Sequence, residues 1–98
     1  MTRIEKRFRE LRRKNKKAFI VFITCGFPNL ATTHRLILEL EKAGVDIIEL
    51  GVPFSDPLAD GSIIQAASER SLKRGTTLGD VIKLVKKIRQ ISQIPLAI

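Results

Sequence analysis

Ile47-Ile48-Glu49-Leu50-Gly51-Val52-Pro53-Phe54-Ser55-Asp56-Pro57-Leu58-Ala59-Asp60-Gly61 is the stretch that decides the fold. It begins as a short apolar run, carries a carboxylate inside that run at Glu49, and passes into a loop dense in Gly and Pro with two more carboxylates, Asp56 and Asp60. A helical pattern starts near Ser62. A carboxylate within an apolar strand is costly to bury without a partner, which marks Glu49 as a residue kept for chemistry.

The flanking segments read as scaffold. Ala18 to Thr24 is continuously apolar and rich in β-branched and aromatic residues, the composition of a parallel strand buried on both faces. The turn-like Cys25-Gly26-Phe27-Pro28-Asn29 leads into a helix over 30–43, with Leu36, Ile37, Leu40 and Ala43 on one side and Gly44 as its stop. Asp46 to Leu50 is a second strand. Ser62 to Arg74 is a helix with a weaker apolar side formed by Ile63, Ile64, Ala67 and Ser71. A longer helix over 77–93 places Leu78, Val81, Ile82, Val85, Ile88 and Ile91 on one face, and Thr77 with Asp80 has the spacing of a capping box. Pro95 to Ile98 opens a third strand, and this ending predicts the N-terminal part of a longer protein. Alternating β and α units with apolar strands imply a parallel sheet covered by helices. Ligands in such folds lie at the carboxyl ends of the strands, where Glu49 falls.

Residues 2–14 predict a further helix, with Ile4, Phe8 and Leu11 as a narrow apolar stripe and Thr2 as N-cap. Charge is concentrated there. Of the 18 Lys and Arg, residues 1–17 hold nine against two acids, a net +7, while the other 81 residues carry nine bases and eight acids. A docking surface helix explains this segment better than a nucleic-acid-binding arm, because the stripe uses Phe8, its one aromatic. No apolar run approaches the ~20 residues that span a bilayer, no secretory h-region follows the N-terminus, and one cysteine, Cys25, forms no disulfide within the chain. The chain reads as one small domain over 1–98 in a cytoplasmic protein.

Glu49 and Asp60 are the candidate acid/base pair, eleven residues apart, one at a rigid strand end and one on the loop leaving it. Packing of Glu49 among apolar neighbours would raise its pKa, and Asp60 on a wetter loop would stay ionised, giving two carboxylates with separated roles. Position alone leaves Asp60 equally open to an N-cap role, and Asp56 before Pro57 suits a turn. His34 reads as a surface residue, Cys25 has no His partner to activate it, and no metal-ligand or phosphate-loop motif is present.

The stretch from Ile48 to Gly61 closely resembles the signature of the tryptophan synthase alpha subunit family. Ala18 to Pro28 is similar to that family's first strand and turn, and the N-terminal helix, Gly44-Val45-Asp46 and Ile64-Gln65 extend the likeness over essentially the whole chain. Ser62, Cys25 and Phe27 depart from its usual residues without removing a catalytic group. The resemblance implies a (β/α)8 TIM barrel, of which residues 1–98 supply a capping helix, two βα units and the start of strand 3. It implies retro-aldol cleavage of indole-3-glycerol phosphate to indole and glyceraldehyde 3-phosphate in tryptophan biosynthesis. Glu49 would shuttle the proton, Asp60 would accept from the indole N–H, Phe22 and Ile64 would line the indole pocket, and Pro53, Asp56 and Pro57 would contact the beta subunit. That partner, in an alpha2-beta2 assembly, would carry pyridoxal phosphate; no cofactor is implied in this chain. Residues 1–98 alone are expected to be inactive. The alternatives are another phosphate-handling barrel enzyme, or a nucleic-acid-binding module using residues 1–17; neither a membrane nor nucleic acid is expected as a partner.

Overall fold

The computed structural model describes residues 1–53 and 60–98. Helix α1 (Arg3–Arg13) is followed by β1 (Ile20–Thr24), α2 (Leu30–Lys42), β2 (Ile47–Gly51), α3 (Ser62–Lys73), α4 (Leu78–Arg89) and β3 (Leu96–Ala97). The three strands form one parallel sheet in the order β1-β2-β3. Register pairs Ile20 with Ile47, Phe22 with Glu49 and Thr24 with Gly51, then Glu49 with Ala97. All strand ends therefore leave the sheet at one edge.

Alternation along the strands decides which side chains are buried. Ile48 and Leu50 are 0% and 1% exposed and join Ile37, Val81, Leu84 and Ile88 in the core, with Val21, Ile23 and Leu96 packed against it. On β1 the residues of the opposite phase stay open, Ile20 at 44% and Phe22 at 42% exposed, whereas Ile47 at the start of β2 is buried. The expected burial of β1 on both faces is thus corrected. Its apolar run is continuous, but helices cover only one side of the sheet among the described residues.

Local signals place the helix ends. Thr2 caps α1, accepting from the Glu5 N–H at 3.1 Å, and Asn29 caps α2, accepting from Thr32 at 2.8 Å. Ala43 is the C-cap of α2, and Gly44 follows it at φ +99°, a conformation costly for residues with a Cβ. At α4 the capping box is complete: Thr77 accepts from the Asp80 N–H at 3.1 Å, and Asp80 accepts from the Thr77 N–H at 2.9 Å. This helix ends at Arg89, four residues before the expected 93, and its buried face is Val81, Leu84 and Ile88. Leu78, Ile82 and Ile91, expected inward, are 59%, 47% and 63% exposed. On α2, Thr33 and Ile37 are the buried residues, and Leu36 turns outward. On α3 the buried residues are Ser68 and Ser71, whereas Ile63 is 85% exposed.

Helix α1 is anchored at the edge where the strands begin. Asp46, just before β2, accepts from the Phe19 N–H at 2.8 Å, and the Arg7 guanidinium donates to the Asp46 carbonyl at 3.1 Å and reaches its carboxylate at 3.5 Å. Arg3 donates to the Gln93 side chain at 2.8 Å, and Leu11 is buried. No helix among the described residues is long and apolar enough to cross a membrane.

Candidate active site

Glu49 stands in the middle of the three-stranded sheet, with Phe22 beside it on β1 and Ala97 on β3. Its neighbours in sequence, Ile48 and Leu50, point into the helix-covered core, so the pleat turns Glu49 to the open face. Glu49 is exposed. The expected packing of Glu49 among its sequence neighbours is not found, because Ile48 and Leu50 lie on the other side of the strand.

Phe22 supplies the aromatic surface of this face. A Cβ built on Gly51 would collide with Cζ of Phe22 and come within 3.0 Å of its Cε2, so the ring lies across the backbone two residues beyond Glu49. Glycine at 51 permits that approach. Gly51 is a sterically constrained position that the residue types alone do not flag; its signal is a glycine directly at the end of an apolar strand.

The loop leaving β2 returns to described structure at Asp60, which is half-buried. Gly61 is the N-cap residue of α3, and no side chain caps that helix. The capping role left open for Asp60 is thereby removed. The Asp60 carbonyl accepts from the Gln65 side chain at 2.7 Å, which ties the loop end to the helix. Ile64 is half-buried in the first turn of α3. Pro53, expected at a partner interface, is buried and offers no free surface here, while Asp56 and Pro57 lie outside the described residues.

The neighbouring β1–α2 turn is fixed by buried polar contacts. The Gly26 N–H donates to the Thr33 hydroxyl at 2.9 Å, and the Ser71 hydroxyl donates to the Cys25 carbonyl at 2.8 Å. Gly26 has φ +84°, and a Cβ there would overlap the Ser71 and Thr76 hydroxyls. Cys25 itself is fully buried, and burial, helped by the charge of Asp80, pushes its thiol up to about 11. A thiol so protonated is a poor nucleophile at neutral pH. His34 lines a groove of about 440 Å³ between α2 and α4, with Leu30, Asp80 and Lys83, on the helix side of the sheet. No group of three His, Cys, Asp or Glu among the described residues could hold a metal ion.

The tryptophan synthase alpha chain family model matches residues 8–98. The chain belongs to the tryptophan synthase alpha chain family. The alpha chain of Geotalea uraniireducens is 58% identical over 96 residues, and that of Citrifermentans bemidjiense 51% over 98. The crystal structure of tryptophan synthase subunit alpha from Legionella pneumophila superposes on 98% of this chain with a TM-score of 0.94 at 38% identity. An aminoacrylate-bound tryptophan synthase from M. tuberculosis matches 92% of it with a TM-score of 0.85 at 33% identity. The chain spans 36% and 37% of the length of the two relatives and 37% of the Legionella chain. Its sheet and helices are the N-terminal portion of the (β/α)8 barrel of tryptophan synthase alpha chains, and the open face bearing Glu49 and Phe22 corresponds to the barrel's interior.

Proposed function

We propose that this chain acts in tryptophan biosynthesis as the N-terminal part of a carbon–carbon lyase that cleaves indole-3-glycerol phosphate to indole and glyceraldehyde 3-phosphate. The observation that carries the reading is the position of Glu49: a carboxylate on the open face of the central strand, flanked by the Phe22 ring, at the edge from which the Asp60 loop departs.

In the proposed reaction Glu49 delivers a proton to indole C3 and takes one from the glycerol hydroxyl. The carbon–carbon bond breaks as that hydroxyl becomes the aldehyde, and its electron pair returns to the ring. Asp60 accepts from the indole N–H and stabilises the positive charge that develops on the ring. Phe22 and Ile64 form the apolar walls. Proton transfer by a positioned carboxylate contributes roughly 10²–10⁴-fold, and closure of the barrel around Glu49 would supply the desolvation that the open face lacks. Asp56 and Pro57 belong to the segment proposed to contact a beta subunit carrying pyridoxal phosphate, within a cytoplasmic alpha2-beta2 complex.

The test is indole release from indole-3-glycerol phosphate, measured for the 98-residue chain and for a full-length form carrying these residues. The full-length form should turn over and the 98-residue chain should not. A full-length protein that releases no indole would refute the reaction, and turnover by the 98-residue chain would refute the need for a closed barrel.

A further inference from the structure

Helix α3 joins two elements at the carboxyl edge of the sheet. The loop leaving β2 enters its first turn, and its last turns are bonded to the residue that follows β1. That far end is held by buried contacts. Ser71 is fully buried, its hydroxyl donates to the Cys25 carbonyl at 2.8 Å, and Gly26 lies too close to the Ser71 and Thr76 hydroxyls to admit a Cβ. Ser68 is buried one turn earlier, and the helix packs against β1.

Gln65 acts at the near end. Its backbone N–H donates to the Gly61 carbonyl at 2.9 Å, and its side-chain amide donates to the Asp60 carbonyl at 2.7 Å. One residue thus holds two successive carbonyls. The side-chain bond does nothing for the unpaired N–H groups of the helix start, which are what a cap satisfies. It directs a donor instead to a carbonyl that lies before the N-cap residue, Gly61. Its effect falls on the peptide between Asp60 and Gly61. That unit is planar, so a carbonyl held against α3 also fixes the Cα of Asp60, which lies in the same plane. Gly61 has no side chain to restrict the backbone there, and the Gln65 amide supplies the restraint.

We propose that Gln65 is a positioning residue for Asp60: through the Asp60 carbonyl it holds the carboxylate where it accepts from the indole N–H, with α3 seated on Cys25 as the fixed support. The inference rests on the reaction proposed above, in which positive charge develops on the ring in the transition state and a misplaced carboxylate stabilises it less. Loss of the bond therefore acts on turnover more than on substrate binding.

Gln65→Met keeps the length of the side chain without its donor. In a full-length form carrying these residues it should lower kcat for indole release about tenfold and change KM by less than about threefold. Gln65→Glu puts an acceptor-only carboxylate against the Asp60 carbonyl. Its rate relative to the unsubstituted protein should be lowest at about pH 8 and recover as pH falls toward about 5, because the carboxyl, with an ordinary pKa of about 4.3, regains an O–H donor on protonation. The relative rate of Gln65→Met should not change with pH. A role confined to helix stability would lower the urea midpoint and give neither the kcat effect nor the pH trend. Glu69→Gln, one turn along α3 in an ion pair with Lys73 at 3.4 Å, should leave kcat unchanged. Unchanged kcat in Gln65→Met, a loss confined to KM, a pH-independent relative rate in Gln65→Glu, or an equal loss in Glu69→Gln would each overturn the proposal. An unsubstituted full-length protein that released no indole would refute the reaction itself and this role with it, whereas turnover that Gln65→Met leaves intact would refute the positioning role alone.

Discussion

The ring of Phe22 lies against the backbone of Gly51, on the strand that carries Glu49. One side chain thus depends on the absence of another, and the aromatic wall beside the carboxylate exists because position 51 has no Cβ. Gly51→Ala should push the Phe22 ring off this seat at little cost in stability, because the atoms it meets most closely are the tip of a side chain that is open to solvent on this face. In a full-length form it should also reduce indole release while leaving Glu49 and Asp60 in place. Chemical denaturation and steady-state kinetics of the same variant measure the two effects.

Glu49→Gln preserves size and removes the transferable proton. In a full-length form it should lower turnover by roughly 10²-fold or more, and in the 98-residue chain secondary structure and urea midpoint should be nearly unchanged because Glu49 is exposed there. Near-normal turnover would show that Glu49 has no proton-transfer role.

Asp46 joins three segments, receiving the Phe19 N–H and holding Arg7 of α1. Asp46→Ala leaves the Phe19 N–H without its partner and removes the 3.5 Å carboxylate contact to Arg7, whose bond to the Asp46 carbonyl remains. The expected loss is about 1–3 kcal/mol, and faster amide exchange in α1 than in α4 would locate it at the helix anchor.

Cys25 gives a pH signature. Its thiol titrates near 9.0 when unfolded and is raised to about 11 in the fold, chiefly by burial. Between these values the folded state holds a proton that the unfolded state has lost. Stability from this group is therefore complete below pH 9 and declines as pH rises toward 11, by up to about 2 kcal/mol. Urea midpoints measured from pH 8 to pH 11 should show this decline in the native chain and a smaller one in Cys25→Ala.

Thr77→Ala removes one half of the capping box at the start of α4 and should cost about 1 kcal/mol. A thermal melt is sufficient to detect it.

Much of the fold could be read from punctuation. Gly44, the Thr77–Asp80 pair and the apolar runs put the strands and helices within a few residues of their observed limits, because caps and stops act locally. Facing was harder. Leu84 was missed and Ile82 and Ile91 were misassigned on α4, since an apolar-rich helix permits more than one stripe and the sheet selects which one is buried. On α3 the core-facing residues are Ser68 and Ser71; Ser71 falls on the expected side, Ser68 does not, and the bond from the Ser71 hydroxyl to the Cys25 carbonyl joins residues 46 apart, which periodicity cannot reveal. Glu49 is legible as a site candidate from residue type and strand position, Phe22 only through the family resemblance. The openness of their face was not, because the apolar character of β1 reflects both sides of the strand whether or not each is covered.

That uncovered face also governs how the chain behaves in solution. Phe19 and Ile20 are 59% and 44% exposed, adjacent to strand edges whose backbone groups are available for pairing. Such surfaces invite self-association and recognition by chaperones. The formal charge of +8 opposes it by mutual repulsion. Colloidal stability should therefore deteriorate as salt screens that repulsion, and the chain is best kept dilute and at low ionic strength.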